Sequence, residues 1–160
     1  MEELLNQEEL EIVKRLGSKM RREKMYKIED GLWQGGEWTG YLPEEFSAVL
    51  SLTMRPPEYE EGRVWVWVPF EDGRFPGLEW LEMVVNIVKS LRDAGKTLYI
   101  HCHAGISRST MVTAAYLIAK YNWEVDQALN HIAITNDSVD PNPHFMKGLK
   151  DWRKYTQSWR

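Results

Sequence analysis

Residues 97–121 read TLYIHCHAGISRSTMVTAAYLIAKY: a short apolar run, a loop of small and polar residues, then a long apolar run. TLYIHC (97–102) has the length and composition of a buried strand, and STMVTAAYLIAKY (109–121) that of a well-buried helix. Between them is room only for a tight loop. A strand that runs directly into a helix is the building unit of α/β layer folds, whose ligand sites lie beyond the carboxyl ends of the strands. The stretch HCHAGISRST (101–110) occupies such an end.

The loop has the residue types that an anion site needs. Its backbone N–H groups, from His103 through Ala104, Gly105, Ile106 and Ser107 to Arg108, can converge on one point at the helix N-terminus, which attracts negative charge. Gly105 lets the loop curl, and Arg108 brings a planar fork of donors to two oxygens of a phosphate. The sulfur of Cys102 then lies beneath the phosphate, in a field that favours its thiolate, the nucleophilic form. Ser109 is placed to donate a hydrogen bond to that sulfur. His101 is expected to fix loop geometry through hydrogen bonds rather than to transfer protons. A lone cysteine is otherwise a common core residue, and by itself Cys102 would be read as one. The whole string, in its strand-to-helix setting, favours a nucleophile.

Outward from this unit the periodicity alternates. SAVLSLT (47–53) reads as a buried strand and GLWQGGEW (31–38) as a short strand and turn. RVWVWVPF (63–70) is apolar on both faces, with Val64, Val66 and Val68 on one and Trp65 and Trp67 on the other, and is expected to be a central strand. LEWLEMVVNIVKSLRDAG (78–95) has helical spacing and a glycine stop, and VDQALNHIAI (125–134) and HFMKGLKDWRKY (144–155) are further helices around the breaker-rich TNDSVDPNP. The expectation is an α/β fold: a central, largely parallel four- to five-stranded sheet flanked by helices. Residues 2–24 are set apart by their charge. Leu4, Leu5, Ile12, Val13 and Leu16 fall near helical spacing, acidic early and basic late, with Gly17 as a break.

Composition excludes several classes. The chain has 160 residues, 43% of them hydrophobic, and a formal net charge of −4 with no basic stripe, which argues against a nucleic-acid partner. No apolar run is long enough to span a membrane, and the opening MEELLNQEELEI is acidic where a targeting segment would be basic. One cysteine forms no internal disulfide and completes no thiolate metal site, so a reducing cytoplasm fits best. The eight Trp are assigned to the core and its rim.

HCHAGISRST resembles the His-Cys-x5-Arg-Ser/Thr signature loop of the cysteine-dependent protein phosphatases, the protein tyrosine phosphatase superfamily; its Ile-Ser-Arg-Ser half is most similar to the dual-specificity branch. KIEDGLWQGGEW resembles that family's opening strand, VPFEDGRFP its general-acid loop, and SRSTMVTAAYLIAKYNWEVDQAL its following helices. The resemblance covers residues 26 to about 152. It implies a dual-specificity phosphatase-like catalytic domain over 25–160, with 1–24 as a helical extension. It also implies a mechanism without metal or other cofactor: Cys102 attacks phosphorus to form a phosphocysteine, Arg108 and the loop N–H groups hold the oxygens, and Ser109 assists departure of the thiolate. Asp72 matches the family's general acid, with Glu71 as the competitor, and Asn142 resembles an asparagine that supports the loop.

The implied substrate is a phosphorylated protein or peptide. The chain lacks the tryptophan-bearing acid loop and phosphotyrosine clamp of the larger tyrosine-specific enzymes, which implies a shallow pocket open to phosphotyrosine and to phosphoserine or phosphothreonine. Neutral loop positions weaken a lipid phosphate reading. His103 is the ionisable exception, either beside the phosphate or turned outward. Arg74, Lys147 and Lys150 are read as solvated charges in reach of substrate. Three other classes stand as alternatives: a phosphatase of nucleotides, RNA 5′-triphosphates, sugars or inositol phosphates; a sulfur-transfer or arsenate-reducing enzyme, for which resolving thiols are lacking; and an idle phosphopeptide-binding module. Oligomeric state is not legible.

Overall fold

Strand alternation decides which side of the sheet each residue faces. In the computed structural model, which describes residues 6–13, 24–58 and 60–159, five strands form one sheet. They are β1 (Met25–Glu29), β2 (Leu32–Gly35), β3 (Ala48–Ser51), β4 (Val64–Trp67) and β5 (Leu98–His101), in the order β1-β2-β5-β3-β4. β1 pairs antiparallel with β2, and the other neighbours are parallel. The expected sheet is therefore present, with β5 at its centre and the loop of residues 102–107 leaving from that centre.

Leu32, Ala48, Leu50, Leu98 and Ile100 all face the larger core, which four helices cover: α1 (Leu78–Asp93), α2 (Arg108–Tyr121), α3 (Val125–Ala133) and α4 (Pro143–Gln157). α2 is buried nearly all round, from Ser109 to Ile118, because it lies between the sheet and the other helices. This explains an apolar composition too uniform to show a clean stripe. Alternate residues Trp33, Val49, Trp65 and Tyr99 face the other way, into a smaller aromatic core with Leu42, Phe46 and Trp38. Several of the tryptophans are thus placed as packing, and Trp152 is fully buried with its Nε1–H donated to Ala115 O at 2.9 Å.

One expectation needs correction. β4 is an edge strand, not a central one: among the described residues it pairs only with β3, and Val64 and Trp67 are 38% and 45% exposed. Its two apolar faces arise because each side of the sheet has a core, which apolarity alone cannot separate from central placement. β1 was not expected from pattern. It pairs with β2 around Asp30-Gly31, with Glu29 opposite Leu32, a dipeptide that does signal a two-residue hairpin. Of the N-terminal helix, residues 7–13 are helical and exposed, opened by a reciprocal cap in which Glu9 N–H donates to Asn6 Oδ1 and Asn6 N–H to Glu9 Oε2. Leu4, Leu5, Leu16 and Gly17 lie outside the described residues. Among the described residues no helix is long and apolar enough to cross a membrane.

Candidate active site

The loop after β5 curls over the end of β2, and two glycine features make that approach possible. Gly105 has φ of 75°, and a Cβ there would come within 2.6 Å of the Gly35 carbonyl carbon. A Cβ on Gly36 would lie 2.9 Å from His103 O. The Gly-Gly of GLWQGGEW is therefore a bed for the cysteine loop as well as a turn. Glu37 N–H donates to His103 O at 2.9 Å and Cys102 N–H to Gly35 O at 3.3 Å, which fixes the two segments together.

Cys102 is 3% exposed, with Sγ 3.2 Å from Ser109 Oγ, itself fully buried at the start of α2. Ser109 Oγ also reaches Gly35 O at 3.1 Å. Arg108 is half-buried. Its Nη1 donates to Leu52 O at 3.4 Å and Phe70 O at 3.3 Å, so carbonyls at the exits of β3 and β4 hold the guanidinium in place. Around the loop, Ala104 and Ile106 are exposed, while Gly105 and Ser107 are buried. The arrangement can hold an oxyanion above a thiol: a helix N-terminus, a fixed guanidinium and a curled backbone meet there.

His101 lies on the aromatic face, 1% exposed, edge-on to Trp38 and stacked on Tyr99. Its Nδ1 is 3.3 Å from Cys102 O, and since a carbonyl only accepts, Nδ1 holds the proton while Nε2 accepts from Ser51 Oγ–H at 2.6 Å. Burial pushes the imidazole down from 6.5 to about 4, with nearby Arg108 adding to the fall and the contact to Cys102 O opposing it. Unfolded chains bind a proton here from about pH 6.5 downward while folded ones refuse it until about 4, so stability is full above this window and falls as pH drops through it. In His101→Gln, the loss of unfolding free energy between pH 7 and pH 4.5, read from urea midpoints, should shrink by about 2–3 kcal/mol.

His103 turns outward. Its Nδ1 pairs with Glu37 Oε2 at 2.8 Å, its side chain 75% exposed, so of the two orientations open to it the imidazole takes the one away from the loop interior. Glu71 and Asp72 part in a similar way. Glu71 pairs with Arg74 at 4.0 Å on the surface, while Asp72 Oδ1 accepts from Asn142 Nδ2 at 3.2 Å. Asn142 also gives that amide to Ser107 Oγ at 3.3 Å, and its Oδ1 caps α4 by accepting from Phe145 N–H at 3.0 Å. One side chain thus ties the segment bearing Asp72, the cysteine loop and a helix terminus. Lys147 and Lys150 border a cavity of about 780 Å³ that Asn142 also lines; a second, of about 580 Å³, is lined by Trp38, Tyr41, Arg55, Glu58 and His101. Among the described residues no cluster of three or more His, Cys, Asp or Glu is placed to hold a metal.

Two residues of this site escaped the sequence. Gln34 and Asn136, 0% and 1% exposed, meet beneath the loop, with Asn136 Nδ2 donating to Gln34 Oε1 at 3.0 Å. The only local hint is a polar residue inside the otherwise apolar strand LWQG.

Comparison with known proteins agrees with this geometry. The family "Dual specificity phosphatase, catalytic domain" matches residues 43–155. Mouse dual specificity protein phosphatase 2 is 30% identical over 105 residues, 64% of this chain and 33% of that protein. The putative tyrosine phosphatase 123R of invertebrate iridescent virus 6 is 27% identical over 135 residues, 82% of this chain and 94% of that one. The chain thus spans about a third of the first relative and nearly all of the viral one. Among solved structures, human DUSP28 superposes with a TM-score of 0.73 at 18% identity, covering 84% of this chain and 95% of that one. PTPMT1 in complex with PI(5)P does so with a TM-score of 0.71 at 23%, covering 85% and 98%. Likeness at such identity speaks for the fold. The family match runs from the approach to β3 nearly to the end of α4 and so contains the whole strand-loop-helix unit; the chain belongs to the dual specificity phosphatase catalytic domain family.

Proposed function

We propose that the chain is a phosphatase that hydrolyses phosphotyrosine, and phosphoserine or phosphothreonine, in proteins through a phosphocysteine intermediate, acting in the cytoplasm. The observation that carries this is the meeting of Cys102, Arg108 and Ser109 in one curled loop, with the Asp72 segment tied to it through Asn142. Residues 25–160 would form the catalytic domain, with 1–24 as an extension. The Cys102 thiolate attacks phosphorus in line with the leaving oxygen, and the P–O bond breaks as the S–P bond forms. Arg108 and the N–H groups of residues 103–108 take up charge on the three other oxygens, and Asp72 protonates the departing oxygen. In the second step Asp72 deprotonates a water that attacks phosphorus, the S–P bond breaks, and Ser109 donates to the returning thiolate. These steps call on no metal.

Two observations support protein over small anionic substrates. Of the exposed loop side chains, Ala104 and Ile106 are neutral and His103 is turned to Glu37, and the cavity beside His101 has aromatic walls in Trp38 and Tyr41 with room for residues that flank a phosphorylated side chain. The first experiment is hydrolysis of an aryl phosphate in the presence of a chelator, inhibited by vanadate, followed by a panel of phosphopeptides against nucleotides, an RNA 5′-triphosphate, and sugar and inositol phosphates. Turnover of the peptides is the expected result; turnover confined to one of the others reassigns the substrate, and none at all contradicts the reading.

The assignment of the acid has its own test. Asp72→Asn should slow an alkyl or phenyl phosphate about a hundredfold and a nitrophenyl phosphate far less, since a good leaving group needs little protonation. Glu71→Gln should change neither by more than about twofold. The reverse pattern would make Glu71 the acid.

A further inference from the structure

Gln34 faces the helix-side core from the middle of the sheet, opposite Ile100, where an unsatisfied amide would be costly. Its Nε2 donates to Gly105 O at 2.8 Å and to Ser109 Oγ at 2.7 Å, with Thr110 Oγ1 farther off at 3.4 Å. Its Oε1 accepts from Asn136 Nδ2 at 3.0 Å, and Asn136 gives its second amide hydrogen to Gly105 O at 3.1 Å. Asn136 Oδ1 in turn accepts from Ser138 N–H at 3.3 Å. Every polar atom of both amides is used, and two buried donors converge on one loop carbonyl.

That convergence sets the direction of the loop. The peptide bonds of the described residues are trans, so the N–H of Ile106 points opposite to the Gly105 C=O. With the carbonyl drawn inward by two donors, the Ile106 N–H is turned away from the core, toward the side on which an oxyanion would sit. A flip of this peptide would leave two buried donors without an acceptor, which penalises the alternative conformation. A second consequence falls on Ser109. Gln34 occupies one of its lone pairs, which leaves the single hydroxyl hydrogen to Gly35 O or to Cys102 Sγ, at 3.1 and 3.2 Å. As negative charge returns to the sulfur in the second chemical step, that hydrogen turns to it.

We infer that Gln34 and Asn136 are positioning residues of the phosphate site: together they hold the Gly105 peptide in its anion-binding orientation, and Gln34 alone also aims the Ser109 hydroxyl for breakdown of the phosphocysteine. This rests on the phosphatase reading above and assigns it two residues that act through others. The two roles separate by variant. Gln34→Met keeps length and loses every donor; Asn136→Asp keeps shape and loses its two donors, one to Gly105 O and one to Gln34 Oε1, while the Gln34 amide that reaches Ser109 stays.

The experiment measures inorganic tungstate affinity by calorimetry, the pre-steady-state burst with an aryl phosphate, and the melting temperature of each full-length variant. Both variants should bind tungstate about tenfold more weakly than the wild type. Gln34→Met should in addition slow the steady-state phase about tenfold relative to its burst, and Asn136→Asp should leave that ratio near the wild-type value. Unchanged tungstate affinity in a folded variant, whatever its melting temperature, would reduce the pair to core packing, as would failure of both variants to fold. A wild-type chain that neither binds tungstate nor turns over aryl phosphate contradicts the phosphatase reading itself, whereas an active wild type with unaffected variants contradicts only this inference.

Discussion

Cys102→Ser should lower turnover of every phosphate ester by a factor on the order of a thousand or more while it leaves tungstate binding within about threefold of the wild type. The two halves of this expectation have separate origins. Turnover needs a soft, readily ionised nucleophile that also leaves well, and a serine hydroxyl is neither at neutral pH. In the proposed site binding rests on groups that do not touch the sulfur: Arg108 is held by Leu52 O and Phe70 O, and the Gly105 carbonyl by Gln34 and Asn136. Cys102 is buried, at 3% exposure, yet the change is nearly isosteric, so the fold should persist. Undiminished hydrolysis by this variant would move the chemistry elsewhere. Loss of tungstate binding along with turnover would mean that the sulfur organises the loop rather than sitting beneath it.

Gly105→Ala should be nearly as damaging by a different route, destabilising the fold by roughly 2–4 kcal/mol and abolishing oxyanion binding with it. The added methyl meets two obstacles. A φ of 75° is disfavoured for any residue with a Cβ, and that Cβ would lie 2.6 Å from the Gly35 carbonyl carbon and 2.8 Å from Gly36 N. Both are backbone atoms of a sheet strand's end and have little freedom to retreat. The neighbouring Ala104→Ser, on an exposed position, should shift stability by less than about 0.5 kcal/mol. Chemical denaturation with tungstate binding on the same samples checks both. A Gly105→Ala protein as stable and as active as the wild type would show that the loop does not need the close approach to β2.

How far the sequence led can be seen in these same residues. The strand-loop-helix unit was legible because its parts are contiguous: an apolar strand, Gly105 at the curl and an apolar helix follow one another within residues 97–121. Asp72 and Asn142 could be placed only through resemblance to a family, since an aspartate at a strand exit and an asparagine before proline are ordinary turn residues. What joins them, the amide of Asn142 shared between Asp72 and Ser107, spans 70 and 35 positions and has no local signature. Gln34 and Asn136 are the extreme case. They are 102 positions apart, and a glutamine in a short strand reads from sequence as a solvent-facing residue. β4 was misplaced for a related reason: alternating valine and tryptophan show that both faces are covered but not whether the hydrogen-bonding edge is. The sequence pattern thus locates groups that act through their neighbours in the chain, and fails where a group acts through a partner that only the fold supplies.

The central claim is a covalent one, that phosphate passes through Cys102. The measurement that tests it most directly is rapid acid quenching of the protein during turnover of an aryl phosphate, followed by peptide mass mapping. One phosphoryl group on the peptide carrying Cys102, absent from Cys102→Ser and more abundant when hydrolysis of the intermediate is slowed in Gln34→Met, is the predicted result. An active protein that never carries phosphate at Cys102 on the timescale of a turnover would contradict it.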